Sequence, residues 1–187
     1  MGRSNLCRQN AKLAGCPDGI AMDARPGLIS VARALREQGL EAILIGNAAA
    51  ALQGAPLTTL DLDLLFRKSP GNLKKLKAIA RGLGAVILKP YYPVSDLFRL
   101  VRDEDSLQLD FMSVIHGVRS YNALRSRATK IDLGGEQILV AALSDIIASK
   151  RAANRTRDRA VLDVLKKTLA EQEVAARRKI EGPRNRK

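Results

Sequence analysis

Three aspartates define the chemistry open to this sequence. Asp61 and Asp63 stand two apart in LDLDLLF (60–66). The alternation there predicts a strand with one buried face, with Leu60, Leu62 and Leu64 on one side and Asp61, Asp63 and Leu65 on the other. Two carboxylates on one strand face can share a cation, and Mg²⁺ takes oxygen ligands of this kind. A second Asp-x-Asp, Asp103 and Asp105, falls in a polar turn beside Arg102 and needs no function. Context separates the pairs, because Asp61 and Asp63 interrupt an apolar strand, a costly place for like charges unless a cation compensates them. Asp110, in LQLDFMS (107–113), repeats the pattern on another strand. Three carboxylates on neighbouring strands could hold two Mg²⁺ ions about 3.5–4 Å apart, the clamp used in phosphoryl transfer. Asp110 could equally be a rim residue on an exposed strand face. Gly46-Asn47 ends an apolar run and opens a helix, where backbone N–H groups can cradle phosphate or the chain simply turns.

These residues need a scaffold, and the patterning predicts one. A helix runs from Pro26 to a stop at Gly39. AILIG (42–46) reads as a buried strand and NAAAALQG (47–54) as a short helix. Ser69-Pro70 opens a helix to about Leu83, with Leu73, Leu76, Ile79 and Ala80 inward and Lys74, Lys75, Lys77 and Arg81 outward. A strand over 85–89, a PYYP loop at 90–93, and a hairpin of 97–101 with 107–113 follow. Then come a helix at 119–127, strands at 128–132 and 137–140, a helix over 145–154 capped by Ser144, and a helix from Arg157 to about Lys179. The fold class is α/β, a mixed β-sheet flanked by helices with a C-terminal helical segment. Residues 1–21 read as a loosely ordered extension, 22–140 as the core, 141–176 as C-terminal helices and 177–187 as a basic tail.

The chain has 187 residues and a formal net charge of +13, with 46% hydrophobic residues and 3% aromatic. That is enough apolar content for one aliphatic core and too little aromatic surface for an extended base-stacking platform. Excess positive charge favours polyanionic partners. It is uneven: residues 22–66 carry a net −2, while 67–105 carry +5 and 151–187 carry +7. An acidic segment between basic ones is the pattern of a cation site inside a surface that attracts anions. Cys7 and Cys16 make no disulfide framework, which points to a reducing, cytoplasmic setting. No apolar run approaches the ~20 residues that span a bilayer. His116 is the only histidine, so a His-based triad is excluded, and with Gly117 it marks a turn after the Asp110 strand. Tyr91 and Tyr92 read as packing against the sheet.

A strand ending in Gly46, a short helix, Thr59-x-Asp61-x-Asp63 on the next strand and a third Asp on a later one resembles the nucleotidyltransferase superfamily to which DNA polymerase beta belongs. More narrowly, LIGNAAAALQGAPLTTLDLDLLF is similar to small bacterial nucleotidyltransferases of the abortive-infection toxin type. Those also carry a helical Lys-x-x-Ala followed by Arg and Asp, and SDIIASKRAANRTRD supplies Lys150, Ala153, Arg155 and Asp158. The resemblance covers about residues 25–170.

It implies Asp61 and Asp63 as ligands of two Mg²⁺ ions, with Mn²⁺ the alternative, and Asp110 as third ligand and base. It implies Gly46, Asn47 and Thr59 at the nucleotide, Lys150 and Arg155 neutralising phosphate charge, and Asp158 orienting them. Asn47 stands where the family more often has Gly or Ser. Read without the resemblance, Lys150, Arg155 and Asp158 form a solvated helix face with local ion pairs. The implied activity is transfer of a nucleoside monophosphate from an NTP to an acceptor hydroxyl. RNA such as the tRNA 3′ end is the first acceptor and a protein hydroxyl the second, with the chain as a toxin paired with a cognate antitoxin. The alternatives are a degenerate module that binds RNA or a partner without turnover, and transfer to an aminoglycoside-type small molecule, whose positive charge suits a +13 protein poorly.

Overall fold

The computed structural model describes residues 24–59, 61–88 and 96–181. The expectations for residues 1–21, both cysteines, Leu60, Tyr91, Tyr92 and residues 182–187 lie outside them. Helix α1 (Ala24–Glu37) buries Leu28, Val31, Ala32 and Leu35, the i, i+3, i+4, i+7 stripe of an amphipathic helix. β1 (Ala42–Ile45) is buried throughout and runs directly into α2 (Gly46–Leu52), whose buried face is mostly alanine. β2 (Asp61–Phe66) follows. In α3 (Pro70–Gly82), Pro70 sits in the first turn and the Ser69 hydroxyl accepts the Asn72 N–H as a cap.

β3 (Val86–Leu88) and β4 (Leu97–Arg102) lead through a 3₁₀ turn at Asp103–Asp105 into β5 (Leu107–Met112). α4 (Tyr121–Arg125), β6 (Thr129–Asp132), β7 (Gln137–Val140), α5 (Leu143–Ala153) and α6 (Thr156–Glu181) complete the chain. The seven strands form one mixed sheet in the order β3-β4-β5-β2-β1-β7-β6, with β2–β5 and β1–β7 parallel and the other neighbours antiparallel. The core is aliphatic around Phe66, which meets Phe98 and Phe111 edge-on.

Three local expectations are corrected. β2 does not alternate along its whole length: Leu64, Leu65 and Phe66 are all buried, because β2 is a central strand and its second half is covered on both faces. Ser144 does not cap α5. The helix starts two residues earlier, at Leu143, with Ala142 at the cap position and no side-chain bond. α6 continues to Glu181, two residues past the expected end near Lys179 and into the segment read as basic tail. α6 is tied to the rest of the domain by buried Leu165 and by Gln172, whose amide donates to Gln53 O at 2.6 Å just past α2. Among the described residues, no helix is long and apolar enough to cross a membrane.

Candidate active site

Strand register brings the acidic residues together. Asp63 faces Asp110 across parallel β2 and β5, and Asp110 faces Arg99 across antiparallel β5 and β4. Directly opposed residues project to the same side of a sheet. Arg99, Asp110 and Asp63 therefore form a row over three adjacent strands, with Asp61 two residues along on the same face. The row lies in a cleft of about 290 Å³, lined also by residues of α5 and the start of α6. Gly46, Asn47, Thr59, Asp61, Asp63, Asp110, Lys150, Arg155 and Asp158 all line it.

Gly46 shows why this wall is built as it is. Its φ of +71° lets the chain turn from β1 straight into α2, and a β-carbon there would come within 2.3 Å of Asp63 Oδ2. Thr59 works locally: its hydroxyl accepts the Asp61 N–H at 3.2 Å and shapes the entry to β2. On the opposite wall, the α5–α6 link passes through Asn154 in the left-handed region, φ 50°, a conformation that Asn tolerates. The link sets Lys150 Nζ 3.4 Å from Asp158 Oδ1, both side chains largely buried. The solvated-face reading of that pair is thereby corrected, because α6 packs over α5 and covers it. α5 is anchored at its first turn by Asp145, whose carboxylate accepts two short hydrogen bonds from Arg127, 2.9 Å from Nε and 2.7 Å from Nη2.

The charges in the cleft differ sharply in their partners. Burial, then the charge of Asp110, then that of Asp61 push the Asp63 carboxyl up to about 6, against the pull of Lys150 and Arg157. Asp110 instead has a resident counter-ion: Arg99 Nε donates to Oδ1 at 2.8 Å and Nη2 to Oδ2 at 2.7 Å. Asp110 is 7% exposed, so it is no rim residue. Asn47 Oδ1 and Asp158 Oδ2, both on cleft-lining residues, are buried with no hydrogen-bond partner among the described residues. An unmet buried polar atom costs about 1–3 kcal/mol, and such violations are expected where a fold is built around a ligand. The second Asp-x-Asp is ordinary: Asp105 is paired with Arg102 at the surface.

Sequence reasoning did not single out Arg99, Arg157 or Asp145. Arg99 was detectable, being a lone cation in apolar LFRLV within a hairpin whose short turn sets residue 99 opposite residue 110. His116 does lie in a turn, as expected, and it also lines the cleft. Gly117 explains this: at φ +73° it packs against α5 so closely that a β-carbon would lie 2.8 Å from Ala148 O.

A family model described as nucleotidyl transferase of unknown function (DUF2204) matches residues 24–182. This chain belongs to that nucleotidyl transferase family. No curated protein sequence matches it. Among solved structures, the fold is similar to that of the antibiotic-resistance factor ANT(2'')-Ia, at 16% identity and a TM-score of 0.57 over 83% of this chain and 90% of that one. It is also similar to a putative nucleotidyltransferase from Thermotoga maritima, with 18% identity and a TM-score of 0.53 over 81% and 96% of the two chains. The lincosamide antibiotic adenylyltransferase LnuA gives 12% identity and a TM-score of 0.56 over 80% and 98%. At these identities the likeness is one of fold.

Nucleotidyl transferases generally use divalent metals, and the donor set of this one fits such an ion in part. Asp61 and Asp63 offer hard oxygens, and the raised Asp63 carboxyl marks a charge that a cation would relieve. The three-carboxylate set does not close: among the described residues, no three Asp, Glu, His or Cys groups are placed to hold one ion. Both Asp110 oxygens are instead engaged by Arg99.

Proposed function

We propose that this nucleotidyl transferase moves a nucleoside monophosphate from an NTP to an acceptor hydroxyl, with Mg²⁺ or Mn²⁺ held by Asp61 and Asp63. The observation that carries the reading is the row of Asp63 and Asp110 in register, backed by Gly46 and faced by Lys150 across one cleft. In the reaction the acceptor oxygen bonds to the α-phosphorus, the bond from that phosphorus to the bridging oxygen breaks, and pyrophosphate leaves. When bound, the metal supplies neutralisation of the developing phosphate charge. Lys150, Arg155 and Arg157 add positive charge from the opposite wall, and Asn47 and Thr59 border the nucleotide. Asp110 takes the acceptor proton once its carboxylate is released from Arg99.

The favoured acceptor is RNA at a 3′ end. Exposed Arg151, Arg155, Arg157 and Arg159 cluster at the α5–α6 junction beside the cleft, where they would neutralise a polynucleotide backbone. The resemblance to abortive-infection toxins supports reading this activity as that of a toxin held in check by an antitoxin. A small-molecule hydroxyl is the second reading, favoured by the fold shared with an antibiotic-resistance factor solved in complex with adenylyl-2''-tobramycin and with a lincosamide antibiotic adenylyltransferase.

The test is incubation of the protein with each labelled NTP, Mg²⁺ or Mn²⁺, and in separate arms total RNA, a protein lysate and a panel of aminoglycosides and lincosamides. The expected result is label in RNA, abolished in the Asp61→Ala/Asp63→Ala variant. Label in an antibiotic alone selects the second reading. No label in any arm removes the transferase reading and leaves a binding module. Growth arrest on induced expression, absent with the same double variant, is the expected sign of the toxin role.

A further inference from the structure

We propose that Arg99 is a latch on Asp110: in the nucleotide-free protein it occupies the third carboxylate in place of a metal ion, and it leaves that carboxylate for a phosphate of the incoming nucleotide. The inference rests on the reading of Asp61 and Asp63 as metal ligands and extends it to a residue outside the acidic motif.

Four observations carry it. The Arg99 fork engages both oxygens of Asp110, at 2.8 and 2.7 Å, the bidentate geometry in which guanidinium binds carboxylate or phosphate with equal facility. The partners differ in freedom: the Asp110 side chain is 9% exposed and fixed in a central part of the sheet, while that of Arg99 is 41% exposed and reaches in from β4. Arg99 also lines the cleft, so a nucleotide entering it meets the guanidinium. Finally, Asp63, directly beside Asp110 in the row, has no ion-pair partner among the described residues, so the Arg99 fork is committed to one carboxylate of the three.

The consequences follow from charge balance. With Arg99 in place, the Arg99–Asp110 pair is neutral as a unit and both Asp110 oxygens are engaged, so Asp61 and Asp63 are the carboxylates of the row left to attract a cation. A nucleotide phosphate brings the negative charge that draws the guanidinium away, and Asp110 becomes available as ligand or base only when substrate is present.

The experiment compares wild type, Arg99→Met, Arg99→Lys and Arg99→Met/Asp110→Asn by Mn²⁺ titration, with free Mn²⁺ read by electron paramagnetic resonance and no nucleotide present. Nucleotide affinity is measured separately by titration with a non-hydrolysable ATP analogue. The expected result is that Arg99→Met binds Mn²⁺ about tenfold more tightly than wild type, that the double variant loses this gain, and that the analogue binds Arg99→Met at least tenfold more weakly. Arg99→Lys keeps the charge without the fork and is expected to fall between. Circular dichroism and thermal melts identify any variant that has not folded, and Arg99→Lys, the smallest change, keeps the comparison open if Arg99→Met fails. Equal Mn²⁺ affinity in folded wild type and variants overturns the latch while leaving the metal reading intact. No Mn²⁺ binding in any of them overturns the metal reading, and the latch with it.

Discussion

The carboxylate of Asp63 rests against the α-carbon of Gly46, so closely that a β-carbon there would lie 2.3 Å from Oδ2 and 3.3 Å from the Asp63 β-carbon. The pairing of β1 with β2 sets Ile45 opposite Asp63, so the turn that begins α2 passes directly beside the acidic residue. The bare glycine and the acidic side chain therefore share one volume.

Gly46→Ala is expected to damage this site twice. A non-glycine residue at φ +71° costs about 1–2 kcal/mol, and the methyl group pushes the Asp63 carboxylate out of the row. A thermal melt is expected to show a fall of several degrees, since 1 kcal/mol moves Tm by about 2–4 °C for a domain of this size. Transferase activity is expected to fall by much more than that stability loss explains. Near-wild-type turnover in the variant would show that Asp63 tolerates displacement.

Asp63 makes the metal-free protein's stability depend on pH, with a definite sign. Its folded carboxyl, pushed up to about 6 against 3.8 unfolded, holds a proton that the unfolded chain has lost over that interval. Stability therefore declines as pH rises from about 4 to 6, and the penalty is complete above it, at about 3 kcal/mol. Asp63→Asn removes the penalty. In urea unfolding with a chelator present, the variant is expected to exceed wild type by about 2–3 kcal/mol at pH 8 and by about half that at pH 5. Adding Mg²⁺ at pH 8 should narrow the gap by stabilising wild type preferentially.

Lys150 and Asp158 are coupled through burial. Their side chains are 12% and 10% exposed, and among the described residues no other hydrogen bond to the Asp158 carboxylate competes with the 3.4 Å contact to Lys150. Lys150→Ala strands a buried carboxylate, at an expected cost of about 2–4 kcal/mol. Lys150→Ala/Asp158→Asn should recover part of that stability and still bind nucleotide weakly. A double-mutant cycle that reads stability and NTP affinity side by side separates the structural role from the phosphate role; strictly additive stabilities would mean the two side chains do not communicate.

Asp103→Asn/Asp105→Asn serves as the contrast. Asp105 pairs with Arg102 on the surface, in the turn between β4 and β5, and neither residue lines the cleft. Activity within twofold of wild type and a stability change below about 1 kcal/mol are expected. A large loss of activity would mean that this turn, which sets the β4–β5 register, also governs the position of Asp110.

Much of the architecture was legible because its signals are local. The apolar stripe of α1, the alternating start of β2, the Ser69 cap and the hairpin around Asp103–Asp105 each depend on residues a few positions apart. Where local reading failed, a neighbour from elsewhere in the chain decided the matter. Leu65 is buried because β2 is a central strand.

By itself, the sequence determined that Asp61 and Asp63 share a strand face, that Gly46 ends a buried strand, and that the basic excess lies in helices around an acidic segment. These follow from a side-chain period of two in strands and from composition. Only the tertiary structure decided that Asp110 is claimed by Arg99, that Lys150 and Asp158 are covered by helix packing, and that burial beside Asp110 and Asp61 pushes the Asp63 carboxyl up. Charge partnership and desolvation are set by which strands lie side by side and which helix closes over them. That is non-local information, and it is what turns three aspartates of one type into groups with three different environments.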